Sequence, residues 1–78
     1  MKVHVFASLK DVMPAEIELG NEELYDVSSL KELLKNRYPA AAVLLEVCRF
    51  STDTELIAGA QLITAYDNLY VIPPSSGG

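Results

Sequence analysis

Along residues 2–8 the side chains alternate, with Val3, Val5 and Ala7 on one side and His4, Phe6 and Ser8 on the other. That is the period of a β-strand. Residues 10–14 interrupt the alternation, and Ile17 and Leu19 resume it. The chain therefore opens as a hairpin with a loop of several residues, closed by Gly20 and Asn21. The period then lengthens. Leu30, Leu33 and Leu34, followed by Arg37 and Tyr38, keep the i, i+3, i+4 spacing of a helix that buries one stripe. Asp26 and Ser29 are both candidate N-caps, and Ser29 followed three residues later by Glu32 fits a capping box. Lys35 and Arg37 occupy the last turn, where cations suit the helix macrodipole, and Pro39 stops it.

Residues 40–47, AAAVLLEV, have helical propensity, yet 43–47 also read as the start of a strand. The favoured reading is a helical turn to about Glu46 and a strand over 47–50. Residues 51–54 carry turn chemistry, 55–57 form a short edge strand, and Leu62 and Ile63 make a brief apolar contact. Tyr66, Asp67 and Asn68 form a turn, with Asn68 able to take a left-handed conformation, and residues 69–72 are the final strand. One helix over one face of a mixed sheet is an α+β layer structure. The first and last strands can pair in parallel at its centre, and that element order matches the pattern of a ubiquitin-like β-grasp roll.

Size and charge narrow the classes. Seventy-eight residues make one domain near the lower limit for an unaided core. One cysteine, Cys48, and one histidine, His4, supply neither an internal disulfide nor a structural zinc site. A net charge of −5 argues against nucleic acid and anionic membrane surfaces as partners. No secretory signal and no membrane-length apolar run is visible, so a cytoplasmic domain is expected.

Two features remain. If Val3, Val5, Leu69 and Val71 face the helix, then His4, Phe6, Tyr70 and Ile72 point away from it, where an uncovered sheet normally carries polar residues. A contiguous apolar patch of this kind marks a partner site. The strand bearing Tyr70 and Ile72 then runs into Pro73, Pro74, Ser75, Ser76, Gly77 and Gly78. The prolines end the pairing and hold the backbone extended. Six residues reach at most about 20 Å, and the two glycines suit a channel too narrow for side chains. The body is thus expected over 1–72 and the extended tail over 73–78. Its distinctive chemical group is the Gly78 α-carboxylate, a poor electrophile until it is activated, for example as an acyl-adenylate.

The terminal IPPSSGG, a first strand of the VHVFASLK type and a helix ending in RYP resemble the small subunit of molybdopterin synthase over essentially the whole chain. The Pro-Pro-x-x-Gly-Gly terminus is the specific part; the remainder is shared with other ubiquitin-like sulfur carriers, the thiamine-pathway type included. The resemblance implies that a ubiquitin-activating-like adenylyltransferase uses ATP and Mg to adenylate Gly78, and that a sulfur donor protein converts it to a thiocarboxylate. The tail, Pro73 to Gly78, would then enter the synthase large subunit and give sulfur to cyclic pyranopterin monophosphate. By position Phe6 and Ile72 match apolar contact sites of the family, and Leu56 lies near another; Tyr70 joins them on the patch. Tyr66, Asp67 and Asn68 replace the family's Gly-containing turn, and Ser51 stands for its Asn.

Other residues read more plainly. Cys48 suits a small core position in a strand, His4 the surface, and the acid pairs Asp53/Glu55 and Glu16/Glu18 a solvated strand face. Lys2 and Lys10 are candidate salt-bridge donors to partners. There is no Gly-rich phosphate loop, so ATP is expected to bind the partner, and the protein reads as a substrate and sulfur-donating subunit of a sulfurtransferase with no catalytic site of its own. Two other classes stay open: a ubiquitin-like modifier joined to lysines through Gly78, and an interaction module whose tail is inert.

Overall fold

The computed structural model describes residues 1–20 and 26–74. Its five strands are β1 (Lys2–Val5), β2 (Glu16–Glu18), β3 (Arg49–Ser51), β4 (Leu56–Ile57) and β5 (Asn68–Ile72). Two helices, α1 (Val27–Arg37) and α2 (Ala42–Val47), lie between β2 and β3. The sheet order is β2-β1-β5-β3-β4. The central pair, β1 and β5, is parallel, and every other pair is antiparallel. This is the β-grasp roll expected from the element order.

Alternation decides which side of the sheet is buried. Val3, Val5, Ile17, Phe50, Ile57, Leu69 and Val71 all point to one face and are all buried. Leu30 and Leu34 of α1 and Leu45 of α2 close over that face, each with no exposed surface. Sinking a leucine side chain this deeply contributes about 1.5–3 kcal/mol. Leu33, by contrast, only packs against the rim of the core.

Local chemistry sets the ends of the elements, and here the structure departs from several expectations. The first strand stops at Val5 rather than continuing to residue 8. Ala7 takes φ of 54°, and a 3-10 turn over Ala7–Asp11 follows, which brings Leu9 into the core. Asp26, not Ser29, caps α1. Its carboxylate accepts the Ser29 N–H at 2.8 Å, while Ser29 Oγ accepts the Asp26 N–H at 3.1 Å. Ser29 therefore sits at the third helical position, completing the box from inside, and Glu32 pairs with Lys35. After Tyr38 a 3-10 turn over Pro39–Ala41 leads into α2. The helical alternative for residues 42–47 holds to Val47, and the strand begins only at Arg49. Asn68 is extended in β5, so the left-handed turn residue expected there does not occur. The Gly20 end of β2 is described, whereas Asn21 lies outside the described residues.

A cluster of charges clamps α2 to α1. Lys35 bridges Glu32 at 3.2 Å and also pairs with Glu46, while Lys31 reaches the Glu46 carboxylate at 3.5 Å. The hydrogen bond from Lys35 is the main reason that Glu46 is held below the ordinary glutamate value of 4.5 and Lys35 above 10.5. The clamp's stability is therefore complete above Glu46's ordinary value and lost as pH falls through its lowered folded value. At the alkaline end it is complete below 10.5 and lost as pH rises through the raised value of Lys35. Urea unfolding between pH 6 and 3 should accordingly show wild type converging on Glu46→Gln as pH falls; a constant gap would refute the clamp. Separately, Asp26→Ala should cost about 1 kcal/mol of unfolding free energy, the usual loss for an N-cap.

Candidate functional site

The side of the sheet away from the helices is where the unplaced apolar residues meet. Pairing registers run one row across all five strands: Glu16, His4, Tyr70, Ser51 and Leu56. In the adjacent row Arg49 stands opposite Ile72, and Phe6 follows Val5 next to it. Phe6 is 43% exposed, Leu56 57% and Ile72 38%. His4 and Tyr70 are half-buried by one another. Phe6, Tyr70 and Ile72 thus form one apolar surface at the middle of the sheet. Leu56 stands in Tyr70's row, on the far side of β3.

Tyr70 is the hub. Its ring stacks on His4 at a centroid separation of 4.9 Å and on Phe6 at 6.1 Å. His4 Nε2 lies 3.0 Å from Asn68 Oδ1, which fixes the imidazole over the strand pair. The Tyr70 hydroxyl donates to Asp53 Oδ1 at 2.6 Å, tying the centre of the face to the β3–β4 turn. That bond, helped by burial and by the carboxylate's charge, pushes the phenol above its ordinary value of 10. The turn is itself fastened by Thr52, whose Oγ1 accepts the N–H groups of Thr54 and Glu55. In the sequence Asp53 reads only as part of a solvated strand face. Only the strand register brings it to Tyr70, and no short-range pattern encodes that register.

β5 ends at Ile72, Pro73 is half-buried and Pro74 is exposed. Ser75, Ser76, Gly77 and Gly78 lie outside the described residues. The expected strand position of Cys48 is corrected. It caps the end of α2, half-buried, and its thiol donates to the Leu44 carbonyl at 3.0 Å. Burial pushes that thiol up, against a smaller opposing pull from Lys31. Lys2, considered as a donor to partners, pairs internally with Glu16 at 3.5 Å. Among the described residues no helix is long and apolar enough to cross a membrane.

A body of this fold, with its last central strand leading from an apolar face into paired prolines, defines a ubiquitin-like protein. A sequence model of the ThiS family matches residues 3–78, and the chain belongs to that family of ubiquitin-like sulfur carriers. Such carriers work with activating enzymes and sulfurtransferase partners. Among solved structures the chain is similar to SAMP1 from Haloferax volcanii. The TM-score is 0.77 at 21% identity, over 99% of this chain and 97% of that one. At that identity the likeness is one of fold. No curated protein matches the chain.

Replacing Asp53 by Asn should bring the Tyr70 phenol back toward 10, read by NMR titration of the ring resonances. The contribution of the wild-type bond is complete below that ordinary value and disappears as pH rises through the raised one. An unchanged titration would show that the hydrogen bond is not what holds the proton.

Proposed function

We propose that this chain is a sulfur carrier acting as the small subunit of a molybdopterin synthase, with its cargo on the Gly78 carboxylate. In this reading residues 1–72 are the docking body and residues 73–78 the tail. One observation carries it: the family match runs through residue 78, and the strand supplying Tyr70 and Ile72 to the outer face is the one that leads into Pro73 and Pro74. Docking face and tail root therefore share one strand, β5. Phe6, Tyr70, Ile72 and Leu56 provide the contact surface, and Pro73 through Gly77 thread the partner.

The chemistry follows from the carboxylate. In the activating partner, which holds the ATP and magnesium, a Gly78 carboxylate oxygen attacks the α-phosphorus of ATP and pyrophosphate leaves. The acyl carbon, no longer shielded by shared negative charge, is then attacked by a sulfide-level nucleophile from the donor protein, and AMP leaves with the bonding pair. The product is a C-terminal thiocarboxylate. Sulfur is a better nucleophile than the oxygen it replaces, which equips the tail to deliver it to cyclic pyranopterin monophosphate. The body's part is to dock, to orient the tail and to leave only narrow backbone at the reacting end.

The family match is equally compatible with a second reading, in which the same thiocarboxylate feeds a thiamine-type pathway. The activation chemistry is shared, and the acceptor differs.

Intact mass after incubation with an activating enzyme, ATP and sulfide should rise by about 16 Da, one oxygen exchanged for sulfur. Deleting Gly77 and Gly78 should abolish that gain and leave the unfolding midpoint unchanged. Conjugates on lysines of other proteins would instead identify a modifier joined through Gly78. An unaltered mass, indifferent to the deletion, would leave an interaction module with an inert tail. Supplying cyclic pyranopterin monophosphate with the large subunit, against the thiamine-pathway acceptor, separates the two carrier readings.

A further inference from the structure

A cleft of about 230 Å³ opens between the first half of α1, the end of α2 and the β3–β4 hairpin. Its apolar wall comes from Val27, Phe50 and Ile57, all residues of the core. Lys31, Arg49 and Leu56 also line it. In a chain with eleven acids against six bases, none of the described residues lining this cleft is a carboxylate. Lys31 shares its charge with Glu46, but Arg49 makes no ion pair with any described residue. The cleft therefore offers apolar depth together with Arg49, a residue without an ion pair among the described residues, whose guanidinium suits a carboxylate.

Two observations indicate what fills it. The volume is below that of typical small-molecule sites, which begin near about 300 Å³, and suits one or two side chains. The cleft is also continuous with the outer face: Leu56 shares a row with Tyr70, and Arg49 stands opposite Ile72 at the root of the tail. We propose that this cleft receives an acidic-apolar peptide segment of the docked partner, its apolar side chain against Phe50 and Ile57 and its carboxylate on Arg49. The partner would then grip the carrier on both sides of β3 and β4, which fixes the direction in which the tail leaves. The inference rests on the docking reading above for the identity of the occupant, but not for the binding chemistry.

Cys48, the chain's single cysteine, lines the cleft and reports on it. The probe is a capped peptide, acetyl-Leu-Glu-Leu-amide, with acetyl-Leu-Lys-Leu-amide as its charge-reversed control. The measurement is the rate of Cys48 alkylation by iodoacetamide in the full-length protein, alongside amide chemical shifts. The acidic peptide should slow alkylation and move resonances of Arg49, Leu56 and Ala58, and the basic one should do neither. Arg49→Glu should weaken the acidic peptide by about five- to tenfold, an exposed ion pair lost and reversed, and Arg49→Lys should retain part of the binding. Unchanged amide spectra away from the cleft verify that each variant is folded. No protection at millimolar peptide, equal protection by both peptides, or indifference to Arg49→Glu would overturn the proposal. Thiocarboxylate formation at Gly78, assayed on the same preparation, reports separately on the carrier reading, so either can fail without the other.

Discussion

The parallel pairing of β1 with β5 is the constraint on which the rest depends. Strands far apart in sequence become neighbours in the middle of the sheet, with Val3 beside Leu69 and Val5 beside Val71. A parallel pair needs a long crossover, and the chain through α1 and α2 supplies it while covering the inner face. With only one helical layer available, the other face stays open. The pairing therefore buries one set of side chains and, by the same alternation, lines up His4, Tyr70, Phe6 and Ile72 on the outside. It also puts the last strand, and whatever follows it, at the centre rather than at an edge.

The aromatic stack shows how a small open face is kept in order. Tyr70 is held by the His4 ring of β1, by the Phe6 ring just after it, and by a carboxylate from the β3–β4 turn. Its position is set by contacts to two separate segments, so the surface is formed before any partner arrives. A preformed surface loses less side-chain freedom on association than one assembled during it. The charge clamp between α1 and α2 acts on the opposite side, where Lys31 and Lys35 converge on Glu46.

Much of this was legible in the sequence because strand and helix periods are short-range signals. The two-residue alternation around Val3 and Val5, the Leu30–Leu34 stripe and the stop at Pro39 each need only a few neighbours to read. The misread details depend on geometry that spacing does not carry. Asp26 and Ser29 both read as caps, and the first is the cap, but the box expected between Ser29 and Glu32 forms instead between Asp26 and Ser29. Asn68 looked like a turn residue, but pairing with Lys2 draws it into β5. Cys48 alternates correctly for a strand and is taken instead by the end of α2. The Tyr70–Asp53 bond and the cationic cleft depend on register and on the packing of distant elements. The terminal Gly77 and Gly78 are the reverse case, a motif plain in the sequence whose meaning comes from the family rather than from the body's packing.

The two borders of the sheet are short: β2 has three residues, two of them the exposed Glu16 and Glu18, and β4 has two. A border strand offers unpaired amides and carbonyls to any passing chain, and length, flatness and lack of charge make that offer dangerous. Here the ladder runs out after a residue or two, or meets like charge from a second copy. A molecule with an apolar sheet face thus presents a second copy with little edge to pair with.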